Sequence, residues 1–353
     1  MPNHLYQLVA FLVSTLVVLW TTPIVKKIGL KSGRVDEPGG RKIHNRPMVR
    51  LGGVSIFLGA LIALLFVWWI GGFGVLPPNK EYEVWGVTLG GIAFFLIGLV
   101  DDLFGLSPVS RLITQSLIAG LAWKAGVQID FLTIPTMGLV SLADWISMPI
   151  TIIWLVGMAN AINWIDGLDG LAAGVCGIAA VVMLIVCVFM NQPAAALIAA
   201  ALAGGALGFL RYNFNPAQIF MGDGGAYFMG FTLAGVGIIG LVKGVTTVAV
   251  TVAVVLPYLI LAVPILDMSA VILGRLRSGK SPFIADKRHL HHRLLQAGLP
   301  HRLAVLFIYS LTLWAGTLAL AVSGVPSGVG YAIAATLLLS FTIWQVWKTA
   351  KQS

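Results

Sequence analysis

The chain has 353 residues, of which 58% are hydrophobic and 10% charged, and its mean hydropathy is +0.95. Ordinary soluble domains carry about 25% charged residues, so that class is excluded. The formal charge of +9 is what basic loops beside membrane spans produce, and it makes no case for nucleic acid as a partner.

Apolar runs near 4–25, 51–71, 84–100, 109–126, 147–163, 171–190, 194–210, 225–241, 245–273, 303–323 and 328–347 approach or exceed the span of a bilayer. They predict an all-α polytopic membrane protein, a bundle of about 10–11 transmembrane helices forming one integral membrane domain over 1–353. The first run lacks a basic n-region and an Ala-x-Ala site, so it reads as a membrane helix rather than a cleaved leader. The run 245–273 is too long for one straight span, and Pro257 and Pro264 predict a kink with an end that projects into water.

Alternating the spans puts loops near 26–50, 101–108, 163–170, 211–224 and 275–302 on one side, which holds nineteen of the twenty-two Lys and Arg, most of them in 26–50 and 275–302, with Arg111, Arg211, Lys348 and Lys351. The positive-inside rule makes that side cytoplasmic, with the N-terminus outside and the C-terminus inside. On the opposite side, Ile129–Pro135 and Gly138–Ala143 read either as a small β-hairpin or as a plain loop. Cys176 and Cys187 fall about 16 Å apart along one predicted helix, too far for a disulfide.

Six of only thirteen Asp and Glu residues fall in four clusters, and all four emerge on the cytoplasmic side. Carboxylates near hydrocarbon are costly and mark candidate sites. Asp36 lies in the first basic loop with Arg41, Lys42 and His44. Asp101 and Asp102 end the third run, at the helix end where the dipole disfavours acids, which asks for a compensating cation. A hydrated helix end is the plainer reading.

Asn163, Asp166 and Asp169 follow the fifth run at three-residue spacing, and would share a stripe if the segment is helical. Arg211 to Gly225 includes Asn213, Phe220 and the turn Gly222-Asp223-Gly224-Gly225, which suits a metal ligand and an anion pocket or a simple N-cap. Arg288-His289-Leu290-His291-His292-Arg293 has His-x-His spacing that zinc uses, but its flanking cations suit a polyanion such as a diphosphate, or a lipid headgroup patch. Acids facing many cations on one side suggest a metal-assisted enzyme acting on phosphates at the membrane surface.

In order, Asp101-Asp102, Asn163-Trp-Ile-Asp166-Gly-Leu-Asp169-Gly, Phe220-Met-Gly-Asp223 and His289-Leu-His-His292 resemble the polyprenyl-phosphate N-acetylhexosamine-1-phosphate transferase family. The resemblance spans nearly the whole chain and implies a bundle of ten or eleven helices with a cytoplasmic Mg²⁺ site, which Mn²⁺ could also serve. The late loop looks like the UDP-GlcNAc branch, which begins envelope glycans such as teichoic acid or O-antigen, rather than the phospho-MurNAc-pentapeptide branch. Arg41-Lys42-Ile43-His44 before Pro47 and Gly52-Gly53 fits the same branch. Gly105 stands where some members have a further Asp, which puts any general role for that carboxylate in doubt.

The resemblance implies transfer of GlcNAc-1-phosphate from UDP-GlcNAc to undecaprenyl phosphate in the plasma (inner) membrane, by a homodimer in the family's habit. It implies Asp223 and Asp102 as metal ligands and Asp101 and Asp102 as catalytic groups. Asn163, Asp166, Asp169, Asn213 and Phe220 would hold the nucleotide. Arg111, Arg288, His289, His291, His292, Arg293, Asp36, Lys42 and His44 would meet phosphate or sugar. The rival from another class is an ion-coupled transporter, which would need acids near the bilayer midplane and repeated, broken helices.

Overall fold

Backbone amides in hydrocarbon must find partners within their own segment, so an apolar chain of this kind folds into helices. In the computed structural model, which describes residues 3–33, 35–36, 47–76, 80–134, 138–242, 250–279 and 288–351, helices dominate. Helix α1 (Asn3–Lys31) leads through the short strands β1 (Val35–Asp36) and β2 (Met48–Val49) to α2 (Gly53–Trp69). Next come α3 (Lys80–Phe104), α4 (Pro108–Lys124), and the strands β3 (Phe131–Ile134) and β4 (Gly138–Ser141). The middle of the bundle is α5 (Asp144–Ile165), α6 (Leu171–Phe189), α7 (Pro193–Asn213) and α8 (Gly222–Val236). Helices α9 (Val250–Ile260), α10 (Ala262–Arg277), the short α11 (Leu290–Gln296), α12 (His301–Val322) and α13 (Gly328–Ala350) complete it.

Eight of the described helices are long and apolar enough to cross a membrane, and Gly53–Trp69 is a shorter apolar helix. The protein is therefore an all-α, multi-pass membrane protein. The expected count of ten or eleven spans also drew on α4, which has only 17 residues, and on the run 245–273. That run does not bend as one helix. It breaks at Leu261 between α9 and α10, and Pro264 falls in the first turn of α10, where a missing N–H costs nothing. The β-hairpin expected opposite the basic loops is present, with Phe131 paired to Ser141 and Ile134 to Gly138. A second antiparallel pair joins Val35 to Val49 and Asp36 to Met48.

Helix α8 is the axis of the molecule. It packs against α2, α3, α5, α6 and α7 and continues into a π-helical turn, Gly237–Val242. Every residue of α8 is buried except Asp223 in its first turn. Stacked rings bind its surroundings, with Phe94 on Phe231 at 4.4 Å and Phe57 on Phe95 at 4.1 Å. The segment entering α8 is clamped to the start of α2. Phe220 N–H donates to the Val49 carbonyl at 2.9 Å, Gly52 N–H to the Phe220 carbonyl at 2.9 Å, and Gly53 N–H to the Met221 carbonyl at 2.7 Å. Gly222 takes a left-handed φ of 76°, and a Cβ there would strike the Arg50 carbonyl.

Helix α3 passes close to the backbone of α8 at Gly98, where an added Cβ would strike the Asp223 carbonyl. Helices in membranes approach closely through such small residues. Gly98→Ala should therefore push the start of α8 away from α3, costing about 1–3 kcal/mol of stability as overpacking does. Thermal melts in detergent should show a lower midpoint, and the carboxylate site described below should lose function more than the loss of folded protein explains.

Candidate active site

Asp101 and Asp102 occupy the last turn of α3, the helix end that disfavours acids. The structure compensates each one separately. Asp101 is buried, and its Oδ2 accepts from Arg111 Nη1 at 2.6 Å while its Oδ1 accepts from the Leu106 N–H at 2.7 Å. Asp102 turns to α8, and its two oxygens accept from the N–H groups of Asp223 and Gly224, each at 3.0 Å. It thus caps a helix to which it does not belong, at the end where a negative charge is favoured. The unfavourable position on α3 is answered by Arg111 and by α8, whereas the sequence argument had asked for a bound cation.

Asp223 projects from the first turn of α8, and Asn163 at the end of α5 donates from Nδ2 to its Oδ1 at 2.7 Å. Asn163, expected at the nucleotide, is thus tied to the carboxylate pair. Arg50 Nη2 lies 3.5 Å from Asp223 Oδ1 and 3.9 Å from Asp102 Oδ1. In the sequence Arg50 is one of many cations in the first basic loop. Its position two residues before Gly52-Gly53, the segment that clamps α8, was the signal it carried.

Among the described residues no three His, Cys, Asp or Glu side chains form a metal cage. Magnesium asks for less, since one or two carboxylates with water and substrate phosphates suffice. Two carboxylates already spanned by a guanidinium, both hard oxygen donors, fit such a cation.

Asp166 and Asp169 do not lie on a helical stripe with Asn163. Helix α5 stops at Ile165, Asp166 is its C-cap, and residues 167–170 form a turn into α6. Asp166 is half-buried, and loss of hydration pushes its carboxyl up to about 7, with the nearby acids Asp223, Asp102 and Asp169 adding to this and Arg50 opposing it. Asp169 Oδ2 accepts from Asn215 Nδ2 at 2.9 Å and the Ala217 N–H at 3.0 Å. Asn213 is buried, and it accepts from the Gly170 N–H at 3.1 Å and donates to the Ile219 carbonyl at 2.9 Å. Both side chains, expected at the nucleotide, hold the loop that leads to Phe220, a half-buried ring beside the α8 entry.

The histidine segment joins this site through Trp164 and Gly167. The His289 ring meets Trp164 edge-on at 5.8 Å, and His291 Nε2 lies against Gly167, where a Cβ would collide with it. His291 is buried, and burial, with His292 and His289 adding to it, holds its imidazole down at about 3. His291, expected to meet phosphate or sugar, is thus favoured in its neutral form. His292 is half-buried, with its ring 4.3 Å from that of His291, and Arg293 is exposed. Arg288 Nη1 donates to the Gly274 carbonyl at 2.8 Å and to Ser278 Oγ at 3.1 Å, so it is anchored to the end of α10. His289 is held by Asp267 of α10, a residue the sequence reading passed over. Asp36 lies in β1 opposite Met48, and Lys42 and His44 lie outside the described residues.

A membrane helical bundle whose acids gather where α3, α5 and α8 meet defines a class, integral-membrane enzymes that handle phosphate. Residues 84–242 match the model of Glycosyl transferase family 4. The "Probable undecaprenyl-phosphate N-acetylglucosaminyl 1-phosphate transferase" of Bacillus subtilis is 36% identical over 95% of this chain and 86% of its own length. The "Decaprenyl-phosphate N-acetylglucosaminephosphotransferase" of Mycolicibacterium smegmatis is 33% identical over 87% of this chain and 79% of its own. The "Undecaprenyl-phosphate alpha-N-acetylglucosaminyl 1-phosphate transferase" of Pasteurella multocida is 33% identical over 85% and 81%. The chain belongs to glycosyl transferase family 4 and is a phosphoglycosyl transferase.

The raised Asp166 carboxyl has a measurable consequence. The folded protein holds this proton up to about pH 7, whereas the unfolded chain releases it near 3.8, so the stability it confers is lost as pH rises between those values. In EDTA-treated protein, Asp166→Asn should therefore melt higher than wild type at pH 8, and the gap should close towards pH 5.

Proposed function

We propose that this enzyme transfers GlcNAc-1-phosphate from UDP-GlcNAc to undecaprenyl phosphate, giving undecaprenyl-diphospho-GlcNAc and UMP. The names of the relatives support the acceptor and the sugar phosphate. The observation that carries the reading is the pair Asp102 and Asp223, joined through the N-terminus of α8 with Arg50 between them. The nineteen basic residues argue that this face is cytoplasmic in the plasma membrane, with the N-terminus outside and the C-terminus inside.

A phosphate monoester has a second pKa near 6, so the lipid phosphate is largely dianionic at pH 7 and needs no strong base. One of its oxygens bonds to the β-phosphorus of the donor while the bond from that phosphorus to the bridging oxygen breaks, and UMP leaves with the bridging oxygen. Such transfers depend on alignment and charge neutralisation. Asp102 and Asp223 would hold Mg²⁺ or Mn²⁺, which neutralises phosphate charge when bound. Arg50 is placed to exchange its carboxylate contacts for a phosphate oxygen. Arg111 and the Leu106 N–H hold both oxygens of Asp101 in place, which makes Asp101 a support for its neighbour more than a base. Phe220 and Asp166 border the space for the uridine, and His289, His292 and Arg293 border that for the diphosphate and sugar.

The phospho-MurNAc-pentapeptide reaction stays the alternative within the family, against which the relatives' names speak. An ion-coupled transporter is disfavoured because Asp101, Asp102 and Asp223 sit in terminal turns of α3 and α8. The test is UMP release by purified protein in detergent with undecaprenyl phosphate and Mg²⁺. UDP-GlcNAc should give UMP, EDTA should abolish it, and Asp223→Asn should reduce it by about 100-fold or more. Release only from UDP-MurNAc-pentapeptide would move the chain to the other branch.

A further inference from the structure

Asp267 is an acid in the middle of an apolar helix, 9% exposed, and no part of the carboxylate pair. A carboxylate in such a place needs partners. Among the described residues it has two, and both come from the histidine segment. Its Oδ2 lies 2.8 Å from His289 Nδ1, and its Oδ1 accepts from the Leu290 N–H at 2.7 Å. His289 is itself 7% exposed, and its ring lies 5.8 Å from that of Trp164 in an edge-to-face arrangement. An ionised carboxylate only accepts hydrogen bonds, so Nδ1 must carry the proton. In the neutral ring this leaves Nε2 as an acceptor, and in the charged ring as a second donor. The fold makes no hydrogen bond to Nε2 among the described residues.

We propose that Asp267 is a positioning residue for the transfer reaction: it fixes the tautomer and the plane of His289 so that Nε2 is presented to the diphosphate of the nucleotide sugar. The proposal rests on the reading that His289 meets the donor. Among the described residues Asp267 sets both the ring and the backbone beside it, because the same carboxylate fastens Leu290 at the start of α11. Trp164 packs against the ring as well, and Arg275, whose Cζ lies 5.1 Å from the centre of the Trp164 ring, holds the indole. Trp164 follows Asn163, so the orientation of His289 is referenced to the helix end that also holds Asp223.

Asp267→Asn keeps the size of the side chain but not its chemistry. An amide offers one acceptor for two donors, and turned the other way it donates to Nδ1 and drives the proton to Nε2. The experiment is a kinetic double-mutant cycle on full-length protein in detergent with Asp267→Asn, His289→Gln and the pair, reading UMP release against UDP-GlcNAc concentration. The active fraction is counted separately by UDP-binding stoichiometry. Per active site, Asp267→Asn should lower kcat/KM by about 10- to 100-fold, the range known for carboxylates that orient metal-bound histidines. The double variant should be no slower than His289→Gln alone. A purely structural role predicts fewer active sites of normal kcat/KM, and that result, or losses that multiply, would overturn the proposal. If His289→Gln turns over normally while Asp223→Asn does not, the placement of His289 at the donor fails, and the proposal fails with it for that distinct reason.

Discussion

The carboxylate of Asp102 against the first N–H groups of α8 is the contact on which the rest of the site depends. It joins the C-terminus of one membrane helix to the N-terminus of another. On α3 alone the charge would be misplaced, and on α8 alone the orphan N–H groups would lack a partner in a buried setting. Each defect is the remedy for the other. The bond also fixes where Asp223 projects, because the N–H that Asp102 receives is that of Asp223 itself.

Around this joint the other elements act as struts. Asn163 reaches from α5 to Asp223, and Arg50 reaches from the segment clamped to Phe220 and Met221. Asp169 and Asn213 use their polar atoms to hold the loop before α8, and Arg111 neutralises Asp101. Many of the polar residues near the carboxylate pair are thus tied to one another or to the backbone. A reaction that needs alignment of two phosphates more than covalent help is suited by such stiffness.

Much of this was legible in the sequence, for identifiable reasons. Long apolar runs have a single viable outcome in lipid, so the helices were readable, and so was the gathering of Asp101, Asp102, Asp166 and Asp223, which share one side of the threading. What escaped was anything decided by a partner distant in the chain. Asp267 drew no reading from the sequence, because its partners, His289 and the Leu290 N–H, lie 22 and 23 residues further along the chain. Arg50 was indistinguishable from its basic neighbours until the Gly52-Gly53 clamp placed it. The spacing of Asn163, Asp166 and Asp169 suggested a stripe, but α5 ends before the last two. Asn213 has the chemistry of a ligand and the burial of a strut, and only the second was decided by the fold.

The central claim is that Asp102 and Asp223 form one cation-binding pair, set by the joint between α3 and α8. Manganese binding to purified, metal-stripped protein, followed by electron paramagnetic resonance with UDP present, tests it without relying on turnover. The account predicts a bound-manganese signal in wild type that Asp102→Asn and Asp223→Asn each weaken sharply. Unchanged manganese binding in both folded variants would contradict it and place the cation elsewhere.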